Sequence, residues 1–99
     1  MLHLSTVEDV FDISKRGIIV VPGIPKDDDQ KWKIRSGEPI MLETPDGTIF
    51  HTVVCGMEMT SRPDRKSIPL LLGPDITKQM VPVGTKLWVN ESAVTLTSP

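Results

Sequence analysis

Short apolar runs alternate with turn residues along the whole chain, and this pattern predicts a protein built of strands. Nine prolines and seven glycines are spread over the 99 residues and divide the sequence into short segments. The clearest segment is Ile18–Val21, a β-branched run that predicts a buried strand. Ile68–Leu72 and Lys86–Val89 also have the composition of strands. Pro69 predicts that part of the first of them lies at a sheet edge or at a strand start.

One hairpin is predicted from its turn. The sequence predicts two strands, Pro39–Glu43 and Thr48–Met59, joined by a turn at Thr44–Gly47. Proline and glycine in this turn favour a tight reversal of the chain. Cys55, on the second of these strands, is predicted to be a buried structural residue.

The segment Val7–Ile13 is ambiguous from its local pattern. The spacing of Val7, Val10 and Phe11 fits one face of a helix. A strand would instead place Asp9 on the same face as Val7 and Phe11. The residues alone leave both interpretations open.

The length predicts a single domain over residues 1–99, with a core over about 6–90 and a C-terminal tail over about 91–99. Six or seven short strands in a chain of this size suit a small closed barrel, which removes exposed sheet edges. The predicted class is therefore all-β.

Charge gives no general reason to expect a nucleic-acid ligand. The formal net charge is −2, whereas proteins that neutralise phosphates are basic at least locally. The one basic cluster, Arg62, Arg65 and Lys66, is predicted to be a solvated loop.

The inventory of reactive residues predicts a binding protein and not an enzyme. One cysteine and two histidines cannot supply the usual ligands of a structural zinc site, and no phosphate-binding loop is present. We therefore expect no metal, no cofactor and no GTP bound by this chain alone. The lone cysteine and the lack of a secretory signal or membrane-spanning run predict a cytoplasmic protein.

Two groups of carboxylates lie among apolar residues. Glu8 and Asp9 are close to Phe11, and Glu58 lies between Met57 and Met59. A carboxylate in apolar surroundings is costly unless it is paired, hydrogen-bonded or exposed. These acids are either partly exposed at a barrel rim or part of a pocket for a cationic or polar ligand.

Several motifs resemble the second domain of elongation factor Tu. The resemblance is strongest over about the first twenty-five residues and continues in order along most of the chain. It is carried by Val7–Gly17, Ile18–Val21, Gly23, Gly56–Met59, Leu70–Gly73 and Val83–Val89.

The resemblance implies a closed six-stranded Greek-key barrel, with Val7–Ile13 as a strand and without the GTPase domain of the family. In that family the barrel contributes to the pocket for the aminoacylated 3′ end of tRNA. By resemblance, Glu8, Asp9 and Phe11 line the amino-acid side, and Glu58 lies against the terminal adenosine. The implied function is non-catalytic binding of an RNA end.

Departures from the family pattern support an alternative function. Thr60 replaces an expected aromatic residue, and Leu72 replaces an arginine that faces tRNA in the family. The alternative is a protein-interaction module of the same fold without a role in RNA binding, which could dock through an exposed loop around Trp32.

Overall fold

A computed structural model of the chain describes residues 1–13, 16–25, 31–57 and 67–95. These ranges contain nine strands and two short 3-10 turns, Lys78–Met80 and Glu91–Ala93. The strands are β1 Leu2–Thr6, β2 Asp9–Ile13, β3 Gly17–Pro25, β4 Lys31–Trp32, β5 Pro39–Glu43, β6 Ile49–Met57, β7 Ser67–Leu72, β8 Lys86–Val89 and β9 Val94–Thr95.

The strands form one large antiparallel sheet and one small ladder. The large sheet has seven strands in the order β1-β8-β5-β6-β7-β3-β2, and β4 pairs with β9. The predicted all-β class is confirmed. Within the described ranges the hydrogen-bond ladders do not close this sheet, because β1 and β2 each have a ladder partner there on one side only.

The core consists of aliphatic side chains from the inner face of the sheet. Alternate residues of a strand point to opposite faces, and β5 shows the rule, since Ile40 and Leu42 are buried between more exposed neighbours. Leu70, Leu72 and Leu87 are fully buried in the same cluster. The core is therefore formed by many strands that are far apart in sequence.

The predicted hairpin is confirmed, with β5 and β6 paired from Pro39 opposite Val53 to Glu43 opposite Ile49. Its turn is held by side chains as well as by backbone. The Thr44 hydroxyl donates to the carboxylate of Asp46, which also accepts the Thr48 N–H at 3.1 Å.

Of the segment Val7–Ile13, which was ambiguous in the sequence, Asp9–Ile13 is a strand, whereas Val7 and Glu8 precede it. β2 pairs with β3 from Asp9 opposite Val21 to Ile13 opposite Gly17. The apolar residues of this segment also have the spacing of a helix, but pairing with the β-branched run on β3 stabilises the strand.

Two features differ from the sequence-based expectations, since β1 was not predicted and β3 continues through Pro22 to Pro25. Of the two places predicted for Pro69, a sheet edge or a strand start, the sheet edge is wrong, because β7 lies between β6 and β3. Pro69 is the third residue of β7 and stands where the pairing of β7 with β3 shifts register, so its missing N–H is tolerated inside the sheet. Residues 91–95 include β9.

Two side chains also lie in environments other than those predicted. Cys55 is exposed instead of buried, because it shares the outer face of β6 while Val54 points into the core. Trp32 belongs to β4 and packs against the core, so it is not the exposed docking loop that the protein-binding alternative proposed.

The edge strand β1 meets β3, the strand next to the other edge strand β2, at Gly23. A Cβ on Gly23 would lie 2.1 Å from the carbonyl oxygen of Ile68, so the backbones of β3 and β7 touch at this point. The buried hydroxyl of Ser5 on β1 donates to the Gly23 carbonyl at 2.8 Å, with the Pro22 carbonyl at 3.1 Å. β1 thereby packs against β3 without forming a ladder with it.

No helix in the described ranges is long and apolar enough to cross a bilayer.

Replacing Gly23 with alanine is expected to lower the free energy of unfolding by about 2–3 kcal/mol, since the new Cβ would collide with backbone atoms of β7. Gly56→Ala is the matched control, because a Cβ there would be 3.8 Å from the nearest atom, a side-chain carbon of Leu71. Urea unfolding of both variants measures the difference. Equal stability of the two variants would contradict the close approach at Gly23.

The pKa of Asp46 is lowered below its ordinary value of 3.8, chiefly by the hydrogen bond from the Thr44 hydroxyl and then by the Thr48 N–H. A carboxyl group whose pKa is depressed in the folded state stabilises the fold at higher pH, and this contribution is lost as pH falls below 3.8. We expect Thr44→Val to raise the Asp46 pKa towards 3.8 in an NMR titration. An unchanged midpoint would show that the Thr44 hydroxyl does not stabilise the ionised carboxylate.

Candidate binding surface on strand β2

Strand β2 is one edge of the large sheet, and three of the four predicted site residues lie in it or directly before it. Glu8 directly precedes it, and Asp9 and Phe11 lie within it. Its position is set by the hairpin with β3, whose turn is closed by a hydrogen bond from the Arg16 N–H to the Ile13 carbonyl at 2.9 Å. Among the strands that the structure describes, none pairs with the other side of β2.

The orientation of β2 differs from the one expected for a strand over Val7–Ile13. Val7 lies before the strand and is buried at 1% exposure, while Phe11 is 47% exposed. The chain changes direction between them, because Val7 bonds to the Gly84–Thr85 segment and Glu8 donates to Val21 on β3. Val7 and Phe11 therefore do not share a face, and Val10 is the residue of β2 that enters the core.

Both acids beside Phe11 are exposed. The carboxylate of Asp9 accepts the N–H of Val10 at 2.9 Å, which occupies a backbone donor of the edge strand. Alternate positions of a strand lie on one side and are about 7 Å apart, so Asp9 and Phe11 point the same way. An anionic group and an aromatic ring therefore flank each other at the sheet edge.

Phe11 is the exposed end of an apolar row on the outer face of the sheet. It pairs with Ile19 on β3, which in turn pairs with Leu71 on β7. Ile19 and Leu71 are each 9% exposed but are not members of the main core cluster. The ring therefore stands at the exposed end of a row whose other two side chains are buried.

Glu58, the fourth predicted site residue, lies outside the described residues, as does the basic cluster Arg62, Arg65 and Lys66. The preceding residue, Met57, pairs with Leu70 on β7. β7 and β3 separate β6 from β2, so the described end of β6 is three strand spacings from β2, about 14 Å across a flat sheet. The described part of the chain brings Glu8, Asp9 and Phe11 together.

An open cleft of about 340 Å³ lies at the turn end of the β2–β3 hairpin. Asp12, Arg16 and Thr77 line it, and the buried side chains of Ile18 and Ile76 form its apolar part. The sequence contained no signal for this cleft, because it joins the hairpin to a connection about sixty residues later in the chain. The cleft adds a concave feature next to the predicted site without including Glu8, Asp9 or Phe11.

Among the described residues, no group of three or more histidine, cysteine, aspartate or glutamate side chains is arranged to hold a metal ion.

In comparisons with protein families, with curated proteins and with solved structures, this chain has no match. The likeness to the second domain of elongation factor Tu therefore rests on the motifs in the sequence.

The outward orientation of Phe11 predicts that its side chain contributes little to the free energy of unfolding. We expect Phe11→Ala to lower the free energy of unfolding by about 1 kcal/mol or less. Truncating a buried phenylalanine to alanine lowers it by about 3–5 kcal/mol. Val10→Ala should cost about 2 kcal/mol, because Val10 is only 4% exposed. Chemical denaturation of both variants tests this order, and a larger loss for Phe11→Ala than for Val10→Ala would reverse the assignment.

Proposed function

We propose that this protein is a non-catalytic binding module that takes the aminoacylated 3′ end of an RNA at the surface formed by Glu8, Asp9 and Phe11, with Glu58 as a further contact by resemblance to the family. The observation that carries the proposal is the exposure of all three described residues together at one sheet edge. The proposed setting is the cytoplasm.

The finer fold assignment is part of this proposal. We propose that the sheet is a translation-factor-like barrel, in which β1 and β3 meet side by side instead of through a ladder. The hydrogen bond from Ser5 to Gly23 and the packing of β1 on β3 support it, since they bring the two ends of the sheet together.

The charge at the surface suits one end of the proposed ligand. An aminoacyl ester carries a free ammonium group, and carboxylates attract and accept hydrogen bonds from such a group. Glu8 and Asp9 supply carboxylates, and Asp9 already has one oxygen oriented by the Val10 N–H. A deacylated RNA end lacks the ammonium group and should gain nothing from these acids.

The ring of Phe11 suits the other part of the ligand. Unstacked bases of single-stranded RNA are commonly held by stacking on aromatic side chains. Phe11 is accessible for such a contact at 47% exposure, whereas Ile19 and Leu71 in the same row are buried. The proposed binding therefore combines attraction of a cation with ring contact and requires no reacting group on the protein.

The proposal is tested by backbone-amide NMR titration with a short aminoacylated CCA oligonucleotide and its deacylated form. We expect shifts at Glu8, Asp9, Phe11 and Glu58 with the acylated form only. Asp9→Asn should weaken binding at least fivefold, since it keeps the side-chain oxygen but removes the charge. Asp12→Asn, an exposed acid on the same strand, is the matched control and should change affinity less than twofold.

Two outcomes would overturn the proposal in different ways. Equal shifts with both oligonucleotides, weakening steeply with salt, would indicate contacts to phosphates without recognition of the amino acid. No shifts at millimolar oligonucleotide would favour the protein-interaction alternative, with Phe11 as the exposed aromatic anchor.

A further inference from the structure

The turn between β5 and β6 contains the only Asp–Gly sequence in the chain, at Asp46 and Gly47. The single asparagine, Asn90, is followed by glutamate, and every other aspartate is followed by a residue with a side chain. Glycine has no Cβ to shield its backbone nitrogen. Asp46 is therefore the aspartate whose carboxyl carbon is most open to attack by the nitrogen of the next residue.

Such an attack rearranges the backbone without an oxidant or a reductant. The nitrogen of Gly47 bonds to Cγ of Asp46, while the proton of the nitrogen and the hydroxyl group of the carboxylic acid leave together as water. The product is a cyclic succinimide, which a second water molecule opens. Attack of this water at Cγ restores aspartate. Attack at the backbone carbonyl carbon of Asp46 yields isoaspartate, in which the chain runs through Cγ.

Both reacting groups are hydrogen-bonded in the closed turn. The N–H of Gly47 donates to the Thr44 carbonyl at 2.9 Å, which holds the proton that the nitrogen must lose before it attacks. The Asp46 carboxylate accepts the Thr44 hydroxyl and also the Thr48 N–H, the latter at 3.1 Å. Two donors therefore restrain the carboxylate from turning its Cγ towards the Gly47 nitrogen.

The hydrogen bond from Thr44 also acts on the reactivity of the carboxyl group. It is the main cause of the lowered pKa of Asp46, so the group stays ionised at neutral pH. Ring closure needs the protonated acid, because the departing oxygen leaves as water and an ionised carboxylate resists attack by a nucleophile. Thr44 thereby reduces the reactive fraction of Asp46 as well as the freedom of its side chain.

The sheet fixes Thr44, whereas the reacting pair is open to water. The Thr44 side chain is only 8% exposed, and Leu42, two residues earlier, is fully buried. The Thr44 N–H donates to the Thr48 carbonyl at 2.9 Å, and the Thr44 hydroxyl accepts the Thr48 N–H at 3.1 Å. Asp46 and Gly47 are exposed. The protecting hydroxyl is thus held in place for as long as β5 and β6 remain paired.

We propose that Asp46 and Gly47 form a site of spontaneous isoaspartate formation, and that the Thr44 hydroxyl suppresses this reaction while the β5–β6 hairpin is closed. Opening of the turn releases both reacting groups. Isoaspartate adds one atom to the backbone between Thr44 and Thr48, so the product cannot re-form the same turn. The reaction therefore records opening of the hairpin as a lasting covalent change.

Peptide mapping of the whole chain after incubation at neutral pH tests the proposal, because chromatography and fragment ions separate the two isomers of equal mass. We expect isoaspartate at position 46 in guanidinium chloride, and formation at least about tenfold slower in the folded chain. Thr44→Val keeps the shape of the side chain but removes the hydroxyl. It should accelerate the reaction in the folded chain about fivefold, the factor expected from loss of one hydrogen bond.

Two control variants separate the hydroxyl from general stability. Thr44→Ser keeps the hydroxyl and should leave the rate nearly unchanged. Ile40→Val removes one methyl group from a core residue that is 1% exposed, so it lowers the stability of β5 without touching the turn. The rate in Ile40→Val should also stay close to that of the original chain.

Three outcomes would overturn the proposal. A denatured chain that forms no isoaspartate at position 46 would remove the site. Equal rates in the folded and denatured chains would show that the closed hairpin gives no protection. Equal acceleration by Thr44→Val and Ile40→Val would trace the reaction to loss of stability instead of loss of the hydroxyl. None of these outcomes bears on ligand binding at β2, since β7 and β3 separate β6 from that strand.

Discussion

At Gly23 the backbone of β3 lies directly against that of β7, with no room for a side chain between them. The carbonyl of the same glycine accepts the hydroxyl of Ser5, which holds β1 against β3. A single residue therefore joins three strands that are distant in sequence. With a Cβ at this position the strands must separate, and both the packing of β7 and the approach of β1 would be lost.

The position of the β2 surface depends on this junction. Glu8 donates to Val21 two residues before Gly23, so the chain enters β2 in a direction set by β3. That direction turns Val10 into the core and leaves Phe11 outside. A strand that continued straight from Val7 would have placed Phe11 on the buried side, and the ring would be a core residue without access to a ligand.

The two outer surfaces of the sheet differ in charge, although they belong to one small domain. β2 holds two acids and no basic residue around an exposed ring, whereas strands β1, β8, β5 and β6 carry one acid and one base opposite each other. The first arrangement suits a cationic group.

The strand content and the β5–β6 hairpin were determined locally, because β-branched runs and the Thr44–Gly47 turn carry their own conformational preferences. The candidate residues Glu8, Asp9 and Phe11 could also be identified from sequence, since acids beside an aromatic ring are visible there.

Tertiary structure alone decided which of these residues face solvent. The burial of Val10, the exposure of Phe11 and Cys55, the packing of Trp32 against the core and the central place of β7 all depend on pairing between distant strands. A shift of one residue in such pairing moves every side chain of a strand to the opposite face. Local sequence restricts that register only weakly, so the pairing between distant strands decides it.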